Sequence, residues 1–135
     1  VSNARQAAAF VATVKKANHD ALAVVMIETR QGLQNIDQIA RVPGIDVLFI
    51  GPYDLSLSLG VKMDSAEFKA AVARIEAAAR AAGVPLGGLA RTRSQSYQLR
   101  RQGYGFVTTV SDQGALAAYF KKTLESMAPS AKLGY

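Results

Sequence analysis

The sequence has no cysteine and no tryptophan, and it has one histidine among 135 residues. The lack of cysteine excludes disulfides and thiolate metal sites, and it permits a reducing compartment. We therefore expect a cytoplasmic protein. The chain begins at Val1 rather than at a methionine, so the lack of a visible secretory signal carries little weight.

Long apolar runs are also missing, and none approaches the roughly 20 residues that a membrane-spanning helix needs. Hydrophobic residues make up 50% of the chain and charged residues 19%, a composition typical of globular rather than disordered proteins. A chain of this length suffices for one domain with a real core. We expect no association with membranes.

The basic residues, which give a formal net charge of +6, are scattered along the chain. They occur as pairs at Lys15–Lys16, Arg100–Arg101 and Lys121–Lys122, without the interleaved aromatic residues that a surface for single-stranded nucleic acid requires. We expect no nucleic-acid partner. Solvated helix faces explain the pairs most simply, and an anion-steering surface is the alternative.

Short apolar runs alternate with amphipathic segments along the chain. The apolar runs predict buried strands at residues 21–27, 45–50, 84–90 and 104–110. Helical spacing predicts helices at residues 3–17, 30–42, 65–82, 94–102 and 112–127. Residues 51–60 are predicted to form a loop and residues 128–135 a loose tail. We expect N-caps at Ser2, Thr29, Asp64 (with Glu67 completing a capping box) and Ser111 or Asp112, and a C-terminal glycine at Gly83.

This strict alternation of helices and strands predicts an α/β fold with a parallel sheet and right-handed crossovers. A complete (β/α)₈ barrel needs eight strands and typically ~250 residues. The chain supplies four predicted strands, so it is either half of a barrel or a small open α/β domain. The pattern does not choose between the two.

Two carboxylates follow consecutive predicted strands, where ligands gather in both α/β architectures. Glu28 comes directly after the first strand, and Asp54 follows the second across Gly51, Pro52 and Tyr53. Two carboxylates without histidine or cysteine predict a hard oxygen site for Mg²⁺ or Mn²⁺. The alternative is that both acids only stabilise helix starts, and spacing alone favours this alternative.

The loop between the second strand and Asp54 adds a candidate anion site. Gly51 permits unusual backbone conformations and Pro52 stiffens the turn. The amides of Tyr53 and Asp54 can then point outward and form a concave donor site for a carboxylate.

The strings "MIET" and "GLQNIDQIARVPGIDVLFIGPYDLSLSLG" resemble the HpcH/HpaI aldolase family of metal-dependent pyruvate aldolases. The resemblance covers nearly the whole chain. It implies a (β/α)₈ TIM-barrel fold, of which residues 1–135 form the C-terminal half with strands five to eight. It also implies a homo-oligomer, a trimer or hexamer, with the C-terminal helix packing across subunits.

The resemblance assigns roles to individual residues. Glu28 and Asp54 match the two metal-ligand carboxylates, for Mg²⁺, Mn²⁺ or another divalent cation. The Tyr53 and Asp54 amides, on the loop with Gly51 and Pro52, match those that hold the carboxylate of pyruvate, and Leu89 matches a residue lining the pocket. The implied activity is cleavage of 4-hydroxy-2-oxo acids to pyruvate and an aldehyde through a metal-stabilised enolate.

The sequence also departs from the family pattern. Met26 stands where many members have Gln, and Lys15 runs directly into Lys16 where members usually carry a long loop, which is either deleted or missing from the chain. The family's base, a His, and its oxo-binding Arg lie in the barrel's first half, so we expect no catalytic residue here. His19 lies at the wrong end of its strand, and Arg91 is a candidate for the pocket rim only.

Two other functions remain open. One is an acyl-CoA lyase resembling the citrate lyase β-subunit, which shares the two acids. The other is a truncated, non-catalytic half-barrel. Half a barrel exposes two sheet edges and an apolar face, so we expect the chain to assemble rather than to persist as a monomer.

Overall fold

The computed structural model describes residues 1–127, and the predicted loose tail at residues 128–135 lies outside the described residues. Four strands alternate with helices in the described part. The elements are α1 (Ala4–Ala17), β1 (Val24–Ile27), α2 (Arg30–Gln34), α3 (Ile36–Ala40), β2 (Val47–Ile50), α4 (Pro52–Leu59), α5 (Ala66–Ala82), β3 (Leu86–Leu89), α6 (Arg93–Arg101), β4 (Tyr104–Thr108) and α7 (Asp112–Met127).

The four strands form one parallel sheet in the order β1-β2-β3-β4. A doubly wound sheet reverses its strand order at a switch point, whereas the strands of a barrel follow one another in sequence order. The observed order therefore selects the partial barrel over the open α/β domain, and it confirms the predicted α/β fold of TIM-barrel type.

The helices cover only one face of this sheet. Alternate strand residues on that face are buried, and they pack with apolar residues of α3, α4 and α5. The core residues larger than alanine that are at most 5% exposed are Val25, Ile27, Leu48, Ile50 and Leu86 from β1, β2 and β3, Ile36 and Ile39 from α3, Leu55 from α4 and Ile75 from α5. A cavity lies on the opposite face, which would be the inner face of a barrel.

A glycine in β3 makes room for an aromatic pair on the inner face. Phe49 of β2 and Phe106 of β4 meet edge to face with their ring centroids 6.2 Å apart. A Cβ atom on Gly87, between them in the register, would lie 2.7 Å from both Phe49 and Val47. The close approach of these side chains therefore explains why β3 has a glycine at this position.

Two predicted segments differ in the structure. The helix predicted at residues 30–42 is two short helices, α2 and α3, which meet at Asn35. The Asn35 side chain donates to the Gln31 carbonyl oxygen at 3.0 Å and so competes with continuous helix bonding. The predicted loop at residues 51–60 is mostly helix α4, which starts at Pro52 and ends at Gly60 with φ 68°.

Two predicted caps are shifted by one residue. Asn3, not Ser2, caps α1 by accepting from the Gln6 amide. Ser65, not Asp64, caps α5 by accepting from the Phe68 amide, the third amide of that helix. The predicted caps Thr29 and Ser111 accept from the amides of Gly32 and Gly114, and Gly83 ends α5 with φ 68° as expected.

The connection from α1 to β1 lies at the amino end of the sheet. Helix α1 runs without interruption through Lys15 and Lys16. His19 follows the helix, and its side chain is 95% exposed. This placement agrees with the prediction that His19 lies away from the carboxyl ends of the strands. Within residues 1–127 no helix combines the length and the apolar character required to cross a membrane.

Asp46 joins α1 to the start of β1. Its carboxylate accepts from the Ala23 amide at 2.7 Å and from the Lys15 ammonium at 3.0 Å. The Ala23 hydrogen bond, assisted by that from Lys15, lowers the pKa of Asp46 below its ordinary value of 3.8. Ionised Asp46 therefore stabilises the folded state above about pH 4, and this stabilisation disappears as the pH falls through the lowered pKa.

We expect the substitution Asp46→Asn to weaken the acid dependence of folding stability. The free energy of unfolding of the unmodified chain should fall between about pH 5 and pH 2, and the variant should show a shallower fall. Urea titrations followed by circular dichroism across this range measure the effect. Asp37→Asn, which removes an exposed carboxylate 3.5 Å from Arg74, is the control. Equal slopes in the unmodified chain and Asp46→Asn would contradict the assignment.

Candidate functional site

The candidate site lies where β1 and β2 end side by side. Ile27 and Ile50 are partners in the parallel register, so Glu28 and Gly51 are the first residues beyond the two strands. The Gly51 amide donates to the Ile27 carbonyl oxygen at 3.1 Å. This hydrogen bond fixes the loop after β2 directly against Glu28.

Gly51 lies where the ends of β1 and β2 approach closely. A Cβ atom on Gly51 would lie 3.0 Å from the Glu28 Cβ atom and 3.1 Å from the Met26 sulfur. Its φ of −89° is one that any residue adopts. The prediction that Gly51 is needed for an unusual backbone conformation is therefore wrong. The glycine is explained by the narrow space that Met26 and Glu28 leave for a side chain.

Asp54 lies in the first turn of α4, three residues beyond Gly51. The first amide of this helix with a backbone partner is that of Leu55, which donates to the Gly51 carbonyl oxygen at 3.0 Å. The Tyr53 and Asp54 amides precede it and have no carbonyl within the helix to receive them. This helix start therefore offers two amide donors beside a carboxylate, and their binding of a substrate carboxylate stays a prediction.

Arg30 anchors helix α4 to the segment after Glu28, and sequence reasoning missed this contact. Its guanidinium donates to the Leu59 carbonyl oxygen at 2.7 Å, and its amide donates to the Ser58 hydroxyl at 2.9 Å. Both contacts join the segment after Glu28 to the last turn of α4. The sequence gives no signal for this link, because Arg30 and Leu59 are far apart in the chain.

A cavity of about 460 Å³ opens on the inner face of the sheet. Every residue predicted to bind substrate lines it, namely Gly51, Pro52, Tyr53, Asp54 and Leu89. The remaining wall is almost wholly apolar and consists of Val24, Met26, Phe49, Phe106 and Thr108. Glu28 is half-buried behind Gly51 and does not line this cavity. The structure thus brings the predicted substrate residues together and places Glu28 at their edge.

The donor set fits a hard divalent cation bound with help from water or substrate. Among residues 1–127 no cluster of three or more His, Cys, Asp or Glu side chains exists that would form an all-protein metal cage. Mg²⁺ commonly takes one or two carboxylates and completes its shell with water and substrate oxygens. Glu28, beside Gly51, and Asp54, three residues beyond it, are the two carboxylates that would hold such a cation.

Arg91 contacts a residue of the site, and its place on the pocket rim stays a prediction. It follows β3 by two residues, and its guanidinium carbon lies 4.8 Å from the centre of the Tyr53 ring. A cation above an aromatic face is attracted by the ring quadrupole. This contact, which the sequence did not indicate, connects the loop after β3 to the loop that carries Asp54.

Comparison with known proteins gives a consistent result. The profile of the family described as HpcH/HpaI aldolase/citrate lyase matches residues 1–118. A hydroxypyruvate/pyruvate aldolase of Paraburkholderia phytofirmans is 42% identical over 101 residues, which are 73% of this chain and 39% of the relative. The chain therefore spans about two fifths of the length of this curated relative.

Solved structures show the same architecture. An HpcH/HpaI aldolase/citrate lyase family protein from Burkholderia cenocepacia superposes with a TM-score of 0.71 at 32% identity, over 83% of this chain and 44% of its own. The protein CitE from Mycobacterium tuberculosis, solved in complex with magnesium and pyruvate, has a TM-score of 0.61 at 15% identity. That match covers 82% of this chain and 49% of CitE, and it supports the fold alone.

Proposed function

Since the chain belongs to the HpcH/HpaI aldolase/citrate lyase family, we propose that it forms the cation- and pyruvate-binding half of a divalent-metal-dependent aldolase. The complete enzyme is then this chain together with the segment, on the same or another polypeptide, that supplies the first four strands. The observation that carries the proposal is the close approach of Gly51 to Glu28 beside the free amides at the start of α4.

Each residue of the site has a distinct task in this proposal. Glu28 and Asp54 hold Mg²⁺ or Mn²⁺, and the bound cation supplies Lewis-acid stabilisation of an enolate. The Tyr53 and Asp54 amides receive the carboxylate of pyruvate, which the positive end of α4 also favours. Leu89 and the apolar wall keep water away, and electrostatic interactions are stronger where water is excluded.

The reaction is the reversible cleavage of a 4-hydroxy-2-oxo acid between C3 and C4. The 4-hydroxyl proton leaves to a base outside this chain, the C3–C4 electron pair becomes the enolate of pyruvate, and C4 becomes the carbonyl carbon of an aldehyde. No lysine lies at the carboxyl end of β1, β2, β3 or β4, so the chain offers no amine there for a Schiff base. A cytoplasmic location remains a prediction.

Hydrogen exchange on pyruvate tests this proposal without any aldehyde. In deuterated buffer the complete enzyme should catalyse loss of the pyruvate methyl proton signal, because enolate formation and reprotonation replace those protons with deuterium. Proton magnetic resonance follows the signal over time, and excess EDTA should stop the exchange. Condensation of acetyl-CoA with glyoxylate, in the absence of pyruvate exchange, would identify an acyl-CoA lyase instead.

We also propose that the chain functions as a homo-oligomer. Helix α7 has no buried residue, and its large apolar side chains are exposed. A second copy of the chain is the occupant we propose for this helix. The trimer or hexamer that the family resemblance implies is the expected assembly.

A further inference from the structure

Arg30 links the first turn of α2 to the end of α4 through two hydrogen bonds. Its guanidinium donates to the Leu59 carbonyl oxygen at 2.7 Å, and its backbone amide donates to the Ser58 hydroxyl at 2.9 Å. Leu59 is the last residue of α4, where carbonyl groups lack a partner within the helix and a cation is favoured. Arg30 therefore stabilises the end of a helix other than its own.

A second anchor holds the other end of α4. The Gly51 amide donates to the Ile27 carbonyl oxygen at 3.1 Å, directly before the helix begins. Both anchors attach α4 to one short segment, residues 27–30, which contains Glu28. This segment is itself fixed, because Ile27 ends β1 and Thr29 caps α2. Glu28 thus lies between the two points at which α4 is attached.

Few other contacts determine the direction of α4. Leu55 is the one side chain of residues 52–59 that is buried. The Arg91 guanidinium over the Tyr53 ring restrains the first turn of the helix alone. The helix is about 12 Å long, so the Arg30 contacts act at the end opposite to the first turn, which carries Asp54. Without them α4 can pivot about its start.

A pivot of α4 would change the separation of the two carboxylates. Asp54 moves with the helix, whereas Glu28 is held by the segment after β1. Mg²⁺ holds its oxygen ligands at about 2.0–2.1 Å in near-ideal octahedral geometry. Two carboxylates can therefore share one such cation only over a narrow range of separations.

The Arg30 side chain lies away from the inner cavity. It lines a shallow depression on the helical side of the sheet, together with Leu59, Val61 and Arg74. It is not among the residues that line the inner cavity. Any effect of Arg30 on the site must therefore pass through α4.

We propose that Arg30 is a positioning residue of the cation site, which fixes α4 so that Glu28 and Asp54 bind the same ion. This inference rests on the proposed metal-dependent function, and it assigns the residue that sets the spacing of the two carboxylates. The Ser58 hydroxyl assists Arg30 as the acceptor of its backbone amide.

The charge of Arg30 separates this role from simple electrostatics. A positive charge repels a bound cation, so the loss of an arginine that acts only through its charge tightens cation binding, or leaves it unchanged where salt screens the charge. The loss of an arginine that positions the carboxylates weakens cation binding. The two effects have opposite signs.

Titration of the purified chain with Mn²⁺ tests the inference without any substrate. Electron paramagnetic resonance measures free Mn²⁺, and circular dichroism confirms that each variant is folded. We expect Arg30→Gln to raise the dissociation constant about fivefold. Arg30→Lys should raise it less than about twofold, because one guanidinium nitrogen makes the Leu59 contact and an ammonium can replace it. Arg74→Gln removes a cation from the same depression and should leave the constant unchanged or lower it.

Two further variants remove the contact and the proposed target in turn. Ser58→Ala deletes the acceptor of the Arg30 amide without changing the net charge, and it should raise the dissociation constant about threefold. Arg30→Gln combined with Asp54→Asn should bind Mn²⁺ no more than about twofold more weakly than Asp54→Asn alone. The spacing of two carboxylates no longer matters once one of them is absent.

The outcomes distinguish this inference from the function on which it rests. An unchanged or lower dissociation constant in Arg30→Gln, while the unmodified chain binds Mn²⁺, overturns the positioning role alone. A fivefold loss that persists beside Asp54→Asn also overturns it, since Arg30 then acts on general stability. Absence of Mn²⁺ binding to the unmodified chain overturns the proposed metal site and this inference together.

Discussion

Asp54→Asn is expected to reduce kcat/KM of the complete enzyme for aldol cleavage by about a thousandfold, a loss of roughly 4 kcal/mol of transition-state stabilisation. The proposed cation has only two protein carboxylates, so removal of either charge should weaken its binding strongly. Glu28→Gln should give a loss of similar size. Steady-state kinetics at saturating and limiting Mn²⁺ measure both effects.

We attribute the expected loss of kcat/KM to weaker cation binding and not to a loss of folding stability. Asp54 is exposed in the first turn of α4, where an acid contributes only modestly to helix stability, so the variant should unfold near the temperature of the unmodified chain. Asp64→Asn, which removes an exposed carboxylate outside the predicted site, is the matched control and should keep full activity. Calorimetric titration with Mn²⁺ should show at least tenfold weaker binding for Asp54→Asn and Glu28→Gln.

Several outcomes would contradict this assignment. Activity of the unmodified enzyme in excess EDTA would exclude a metal-dependent mechanism. Unchanged kcat/KM in both carboxylate variants would leave Glu28 and Asp54 as residues that stabilise helix starts, the alternative that spacing alone favoured. Loss of activity with unchanged Mn²⁺ affinity would place the carboxylates in a role other than cation binding.

The loop that carries Asp54 could be predicted as part of the site from the sequence, because its residues are close together in the chain. Gly51, Pro52, Tyr53 and Asp54 are consecutive, and the structure places all of them on the cavity together with Leu89. The assignment of Glu28 and Asp54 as metal ligands depended on the family string, since spacing alone favoured residues that only stabilise helix starts. The roles themselves remain proposals.

Other features depend on contacts that no local pattern encodes. The choice between a partial barrel and an open sheet depends on strand order, which alternating helices and strands leave undetermined. Helix α4 was predicted as a loop because its Gly51-Pro52 start is typical of a turn, although proline is also favoured at the first position of a helix.

The purified chain is expected to form an assembly well above its monomer mass of 14.3 kDa, a trimer or hexamer. Within residues 1–127, β1 and β4 each have one neighbouring strand, so each leaves a free sheet edge. Helix α7 adds a row of large apolar residues, each more than half exposed, at Leu116, Tyr119, Phe120, Leu124 and Met127. Full burial stabilises such a side chain by about 1.5–3 kcal/mol, which favours association.

One substitution on α7 distinguishes a specific interface from non-specific hydrophobic association. Phe120 lies on the apolar face of the helix and is 59% exposed, whereas Ala118 lies on the opposite face. Phe120→Glu should lower the assembly mass measured by size-exclusion chromatography with light scattering, because it places a charge in the interface. Ala118→Glu adds the same charge outside it and should leave the mass unchanged. A stable, monodisperse monomer of 14.3 kDa would contradict the half-barrel interpretation, because its inner face and sheet edges would then remain exposed without association.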